Sequence, residues 1–479
     1  MTILAIDQGT TSTKAFLLHD DGRFETVGAR KHEQIHPGDG LVEHDAEALI
    51  GNIEALICEA LAGPGGIAGI ALANQGETVV AWDRQTGKPL HNAIVWQDQR
   101  TQGWLDALPD ATKHSVTAES GLPIDAYFSA SKLAWLLDNA PHARALAARG
   151  QLGLATSDAF FIARLTGVYA TDITTASRTS LMTLDTGAWS AALCEIFGVP
   201  RSLLPSIVPT TGAIGTVDRG GRSIPLVASA VDQQAALFGH GCRAPGDLKI
   251  TFGTGSFALA LTGDRSRRDA AGLVPTVAWQ LGGAAPVFAL DGGDYTAAAA
   301  VDWAGSVGLA GSLADFEIGE GPTALERGLV FVPALAGLAA PHWDRQAAGA
   351  FMGLRLGTTA ADMRRAVLEG VALRAVELVE ALSGEGVAEV SVDGGLTKNA
   401  TFLQFLADAL GRTLRVAETA ELTGLGIAEL GYVALGKPVP PRSAASARRI
   451  LPSPHSAGIR AKRATFTRAI AAVRDFGAA

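Results

Sequence analysis

The feature that most restricts the fold is a strand–turn–strand unit that occurs twice. Near the start, the apolar residues Ile3, Leu4, Ala5 and Ile6 lead through Asp7 into the turn Gln8-Gly9-Thr10-Thr11-Ser12, and Ala15-Phe16-Leu17-Leu18 returns. In the second half, Leu248-Lys249-Ile250-Thr251-Phe252 leads into Gly253-Thr254-Gly255-Ser256, and Phe257-Ala258-Leu259-Ala260-Leu261 returns. A tight turn of glycine and threonine presents successive backbone N–H groups and hydroxyls to an anion. Either turn alone is also what an ordinary β-hairpin shows. Two of them, one near the start of each half, are placed to clamp a single polyphosphate from both sides. Asp7 ends the first strand beside such a turn. It is a candidate Mg²⁺ ligand, directly or through water, because Mg²⁺ takes one or two carboxylates together with waters and phosphates.

A chain of 479 residues is too long for one ordinary core. We expect two domains, 1–241 and 242–479, divided in the glycine-flanked stretch from Gly239 to Gly246. Asp45 reads as an N-cap. After it, Leu49, Ile50, Ile53, Leu56, Ile57 and Leu61 recur at helical spacing, and Ile67 to Ala73 reads as a buried strand. A second amphipathic helix carries Met363, Val367, Leu368, Val371, Ala375, Leu378 and Val379. It leads to a strand from Val387 to Val392, to Asp393-Gly394-Gly395, and to a helix from about Asn399 to Leu410. Strands alternating with helices predict an α/β class.

Composition removes several functions. The net charge of −9 gives no basic footprint for nucleic acid. Cys58, Cys194 and Cys242 stand far apart without metal-ligand spacing, as in a reducing compartment. No apolar run approaches the ~18 residues of a membrane span, and no leader precedes the first strand, so a cytoplasmic protein is expected. There is no GxxxxGK[ST] motif. Gly253 to Ala258 fits GxGxxA, yet it opens a strand where a dinucleotide fingerprint must open a helix.

Other segments carry chemistry. Asp232-Gln233-Gln234 follows the apolar run Ile224 to Val231, and a carboxylate at a strand's C-terminal end is where open α/β sheets bind ligands. It could equally be a helix cap. The glycines of Asp393-Gly394-Gly395 would let a flat ligand lie against the backbone near a helix N-terminus. Asn74-Gln75-Gly76-Glu77-Thr78, Trp96 with Gln97 and Asp98, and Tyr127-Phe128 offer the polar and aromatic groups of a polyol pocket, although Trp96 and Tyr127 would also suit a core.

Taken in this order and spacing, the segments resemble the FGGY family of carbohydrate kinases, and within it the glycerol kinases, over Ile3 to Gly436. The resemblance implies an actin-like architecture of two RNase H-like α/β domains, with ATP and Mg²⁺ in the cleft between them. It implies phosphorylation of a hydroxyl of a small polyol or sugar, with Asp232 as the catalytic base. It places Thr10, Thr11, Ser12 and Lys14 on one side of the triphosphate and Gly253 and Thr254 on the other. Gly395 and Asn399 would contact adenosine, with Ala298 and Asp302 nearby. Asp302 stands where the related pattern has glutamine. Gly76, Glu77, Trp96, Tyr127, Asp232, Gln233 and Phe257 match substrate-pocket positions. A homodimer or homotetramer is left open.

One departure bears on the substrate. Glycerol kinases carry an arginine at the position of Gly76, where it binds glycerol hydroxyls. Loss of such a charged donor costs about 1.5–3 kcal/mol of binding. Two readings follow. Gly76 opens space for a larger acceptor, a four- or five-carbon polyol or ketose. Alternatively, another basic residue takes the arginine's place and glycerol is retained. A reading from another class is a nucleotide-dependent switch of the actin or Hsp70 type, which needs both phosphate turns but no polyol pocket.

Overall fold

In the computed structural model, the structure describes residues 1–63, 65–266, 272–310, 313–316, 321–383, 387–417, 419–442 and 448–477. Two sheets organise them, and each is built around one of the two repeated hairpins. In the first sheet, Thr2–Gln8 pairs antiparallel with Ser12–His19, which pairs antiparallel with Phe24–Lys31. On its other side Thr2–Gln8 runs parallel to Ile67–Asn74, which runs parallel to Arg222–Val231, and Thr211–Arg219 closes the edge antiparallel. In the second sheet, Leu248–Phe252, Ser256–Gly263 and Val287–Asp294 form the antiparallel meander, and Glu389–Gly394 then Thr413–Val416 add the two parallel strands. Arg448–Ile450 and Val274–Trp279 add antiparallel edges. This is the mixed α/β, actin-like fold expected of the sequence.

Hydrophobic pattern explains the layering. The central parallel strands are apolar on both faces, and Ile70, Ala71, Leu72 and Ala73 are fully buried, as a sheet covered on both sides requires. The helix Ala46–Ala62 covers one face with Leu49, Ile50, Ile53, Leu56 and Ile57. Asp45 caps it by accepting from the Glu47 backbone N–H at 2.9 Å. In the second half, the helix Ala360–Ser383 buries Val367, Val371, Ala375, Leu378 and Val379. A short 3-10 turn, Gly395–Lys398, separates the strand ending at Gly394 from the helix Ala400–Leu410. The glycines therefore end the strand but do not themselves start the helix.

A small four-stranded sheet was not anticipated from sequence. It joins Glu43–His44, Ala93–Ile94, Val79–Asp83 and Leu152–Thr156, with the helix Ser129–Asn139 packed on it. Its strands are short and lack clean alternation, so pattern alone does not mark them. This layer sets the positions of Glu77, Trp96 and Tyr127.

The helix Leu422–Ala434 packs against the first sheet, although it follows the strands of the second in sequence. Tyr432 donates its hydroxyl to the carbonyls of Met1 and Leu18 at 2.9 and 3.1 Å. This helix crosses Asp232–Gly239 at close range, and glycine is required at the crossing. A Cβ on Gly239 would lie 2.1 Å from the Leu422 carbonyl oxygen, and one on Gly426 would lie 1.8 Å from that of Ala235. Both obstacles are backbone, so neither can rotate away. Gly426→Val is expected to cost at least the ~1–3 kcal/mol of an overpacked core. That lowers the thermal midpoint by several degrees, at about 2–4 °C per kcal/mol in a domain of this size. A melting curve unchanged from the parent would show that the crossing is not tight.

Candidate active site

The two hairpin turns face one cavity of about 500 Å³. Thr10 and Thr11 line it from the first sheet and Gly253 and Thr254 from the second, together with Gly76, Glu77, Trp96, Tyr127, Asp232, Gln233 and Phe257. The sequence-expected phosphate and substrate positions thus converge. Both turns are anchored. The Gly9 N–H donates to the Ser12 carbonyl at 3.0 Å, and the N–H groups of Ala297, Ala298 and Ala299 donate to the carbonyls of Thr254 and Gly253 at 2.8–3.1 Å.

Several expected nucleotide positions stand apart from this lining. Lys14 donates to both carboxylate oxygens of Glu421 at 2.8 Å, so its charge is paired. Ser12 begins the returning strand of its hairpin. Ala298 and Asp302 sit on the helix Ala298–Ser306, with Asp302 exposed. Gly395 is exposed. Asn399 is buried and spends its Oδ1 on the Phe402 N–H at 2.8 Å, while its Nδ2 has no hydrogen-bond partner.

Asp232 opens the helix Asp232–Gly239 directly after the strand Arg222–Val231, and its Oδ1 accepts from the Gln233 N–H at 2.6 Å. Burial, and then the charge of Glu77, push its pKa up to about 7. Burial, and then the charge of Asp232, push Asp7 up to about 7 as well. Burial and a neighbouring acid raise both carboxyls, Glu77 acting on Asp232 and Asp232 acting on Asp7, so a cation placed beside them favours their ionised forms. The Gln233 side-chain oxygen accepts from the buried Lys249, whose Nζ also donates to Thr251 at 3.1 Å. Lys249 comes from the second sheet and ties it to the residue beside Asp232.

The substrate wall is aromatic and acidic. Trp96 meets Tyr127 edge-to-face at 5.7 Å and Phe257 at 6.5 Å, so rings from both halves of the chain form one box. The Trp96 indole N–H donates to the Thr10 hydroxyl at 3.1 Å and joins this wall to the first phosphate turn. The fully buried Lys132 donates to the carbonyls of Ala126 and Tyr127 at 3.0 and 2.8 Å and holds the Tyr127 segment. Glu77 has φ of 57°, a conformation disfavoured without a glycine.

The environment of Gly76 bears on the substrate wall. Gly76 lines the cavity, and a Cβ there would press on Val231 Cγ1 at 3.1 Å. A guanidinium nevertheless reaches the wall from elsewhere. Arg178 donates through Nε to Glu77 Oε1 at 2.6 Å, and its Nη2 lies 2.9 Å from Asp291 Oδ2. The sequence reading missed Arg178, Asp291, Asp294 and Lys249. A faint signal exists for two of them: Asp291-Gly292-Gly293-Asp294 repeats the acid–glycine–glycine run of Asp393 to Gly395. Arg178 lies in a run of small hydroxyl residues with no motif to mark it.

Comparison with known proteins agrees with this geometry. The N-terminal domain model of the FGGY family of carbohydrate kinases matches residues 2–239, and the C-terminal domain model matches residues 248–435. The glycerol kinase of Koribacter versatilis is 41% identical over 447 residues, covering 91% of this chain and 90% of the relative. That of Methylorubrum populi is 42% identical over 447 residues, covering 90% and 89%. Among solved structures, Plasmodium falciparum glycerol kinase with ADP superposes with a TM-score of 0.89 at 29% identity, over 98% of both chains. Xylulose kinase from Lactobacillus acidophilus shares the fold, with a TM-score of 0.87 at 22% identity over 98% of both chains. The chain therefore belongs to the FGGY family of carbohydrate kinases.

Proposed function

We propose that this kinase transfers the terminal phosphoryl group of ATP to a hydroxyl of a small, uncharged polyol or sugar, with Asp232 accepting the hydroxyl proton. The observation that carries the reading is the position of Asp232, in the one cavity that both phosphate turns and the aromatic box line. Phosphoryl transfer needs positioning and charge stabilisation more than covalent chemistry. Thr10 and Thr11 on one side and Gly253 and Thr254 on the other supply backbone and hydroxyl donors to the phosphates. Gly395 and Asn399, with Ala298 and Asp302, would contact the adenosine end, as the family resemblance implies. Trp96, Tyr127 and Phe257 shape the acceptor's carbon chain, and Glu77 and Gln233 take its hydroxyls.

An uncharged acceptor follows from the charge balance of the wall. Glu77, Asp98, Asp125, Asp232, Asp291 and Asp294 line the cavity, against Arg178 and Arg345. Arg178 is held by Glu77 and Asp291, and Arg345 lies 3.4 Å from Asp125. A sugar acid would add a negative charge to a wall whose acids already outnumber its cations among the described residues.

Asp7 and Asp232 fit a hard dication. Mg²⁺ prefers carboxylate, water and phosphate oxygens, and a positive charge would favour the ionised form of both carboxyls, which burial and then a neighbouring acid disfavour. Asp7 would hold the ion, which when bound neutralises charge on the phosphate oxygens. The three cysteines are free, and no helix among the described residues is long and apolar enough to cross a membrane. Both features suit work in the cytoplasm.

Asp232→Ala is expected to lower kcat for polyol-dependent ADP formation by at least the ~10²–10⁴-fold of a lost general base, with ATP affinity nearly unchanged. Turnover at the parent rate would remove Asp232 from the mechanism. The pH profile gives a separate check. Asp232 works as the anion, and its raised pKa of about 7 means that this form is lost as pH falls. In the parent enzyme, kcat/KM should fall toward about tenfold per pH unit below neutrality. A profile flat down to about pH 5 would contradict the assignment.

A further inference from the structure

A short helix, Ile173–Ala176, is bonded to the C-terminal ends of two neighbouring strands of the first sheet. The strands Ile67–Asn74 and Arg222–Val231 run parallel, with Asn74 beside Val231 in register. Each strand leads directly into a group that the acceptor would meet. Gln75, Gly76 and Glu77 follow Asn74, and Asp232 follows Val231. Consecutive threonines of the helix hold the two ends. The Thr174 hydroxyl accepts from the Val231 N–H at 2.9 Å. The Thr175 hydroxyl donates to Asn74 Oδ1 at 3.4 Å, and Asn74 Nδ2 donates to the Gln75 carbonyl at 3.1 Å. Asn74, Thr174 and Thr175 are all fully buried.

Asp172 fixes the direction of the bond to Val231. It caps the helix by accepting from the Thr174 and Thr175 N–H groups at 2.8 and 3.1 Å. Its carboxylate also accepts the Thr174 hydroxyl proton and, at 2.9 Å, that of Thr210. A hydroxyl has one proton to give. With that proton on Asp172, the Thr174 oxygen can only accept, and the Val231 N–H is the donor it meets. A cap alone would need only Asp172 and the two N–H groups. The side-chain bonds to the strand ends are additional to capping. The same segment also reaches the substrate wall. The Arg178 N–H donates to the Thr175 carbonyl at 3.0 Å, and the Arg178 guanidinium holds Glu77. The second sheet is tied in through Ser177, whose hydroxyl donates to the Thr174 carbonyl at 2.7 Å and accepts from the Val277 N–H at 3.3 Å.

We propose that Thr174 and Thr175 are positioning residues for phosphoryl transfer, clamping the two strand ends and so setting Asp232 against Glu77. The inference rests on the reading of Asp232 as the base and Glu77 as an acceptor ligand. Gly76, Glu77, Val231, Asp232 and Arg178 line the cavity, whereas neither threonine is among the described residues that do, so each acts through its neighbour. Rate responds steeply to such placement, since a shift of about 1 Å in a reacting group can cost ~10²-fold. The two threonines divide the task. Thr174 holds the strand end that carries the base and therefore governs kcat. Thr175 holds the strand end that leads to Glu77 and therefore governs the acceptor's KM.

The test compares the full-length enzyme with Thr174→Val, Thr174→Ser and Thr175→Val, using ATP, Mg²⁺ and an ADP-coupled assay over a polyol panel of glycerol, erythritol, xylitol, ribitol, xylulose and ribulose. Each protein is assayed well below its own melting midpoint, which is measured alongside. Thr174→Val keeps the side chain's shape and loses its hydroxyl. With the parent's best acceptor it is expected to lower kcat by about tenfold or more, with KM for ATP within about twofold. Thr174→Ser keeps the hydroxyl and should stay within about threefold of the parent. Thr175→Val should raise the acceptor's KM by about threefold or more, the equivalent of one neutral hydrogen bond, with a smaller change in kcat. A clamp that serves stability alone would lower the melting midpoint and leave these constants unchanged in the folded protein. Parent-like kcat in folded Thr174→Val, or Thr174→Ser as slow as Thr174→Val, overturns the proposal and leaves the kinase standing. If Thr174→Val fails to fold, Thr175→Val decides, because it leaves the bonds to Asp172 in place, and a parent-like acceptor KM there overturns the proposal. Absence of acceptor-dependent ADP formation by the parent with every compound overturns the kinase reading, and the positioning role with it.

Discussion

The site depends first on a buried charge trio. Arg178 joins Glu77, from its own half of the chain, to Asp291, from the second sheet. Taking three charges out of water is expensive, and such a cluster persists only where geometry and hydrogen bonds offset the loss. The Nε bond to Glu77 and the Nη2 contact to Asp291 supply that offset here, and the two acids hold Arg178 firmly charged despite burial. The arrangement has structural consequences. It fixes Glu77 in its left-handed backbone conformation. It sets Arg178 against the rings of Tyr127 and Phe128. It also ties the substrate wall of the first half to the strand Val287–Asp294 of the second. Removing Arg178 would leave the buried Glu77 and the partly buried Asp291 without their shared cation.

The same logic governs the reacting end. Asp7 and Asp232 sit at the C-terminal ends of strands in one sheet, and each is held near neutrality by burial and a neighbouring acid. A base of this kind is matched to working pH, and a metal–nucleotide complex would complete its charge balance. Lys249 adds a second bridge between the sheets through Gln233. The contacts that join the halves, at Lys249, Asp291 and the Gly239–Gly426 crossing, surround the place where phosphoryl transfer would occur.

Much of this was legible in the sequence because it is local. The doubled hairpins state their own geometry, since glycine and threonine turns between apolar runs leave few alternatives. Asp45 and the periodic leucines and isoleucines after it define a helix without tertiary help. The position of Asp232 after Val231 is likewise a local fact. The remainder was not legible because it is relational. Arg178 becomes a site residue only when Glu77 and Asp291, 101 residues before it and on the far sheet, are folded against it. Lys14 looked available to phosphate until Glu421 came round on the chain to meet it. The small sheet carrying the substrate wall has strands too short to announce themselves by alternation.

The central claim is that the cleft delivers a phosphoryl group to a carbon-bound hydroxyl and not to water. Phosphorus-31 NMR of the enzyme with ATP, Mg²⁺ and the polyol panel tests this most directly. A phosphomonoester resonance growing in step with ADP, with little inorganic phosphate, is the expected result. ADP accompanied only by inorganic phosphate, at a rate indifferent to the polyol, would contradict it and favour a nucleotide-driven switch.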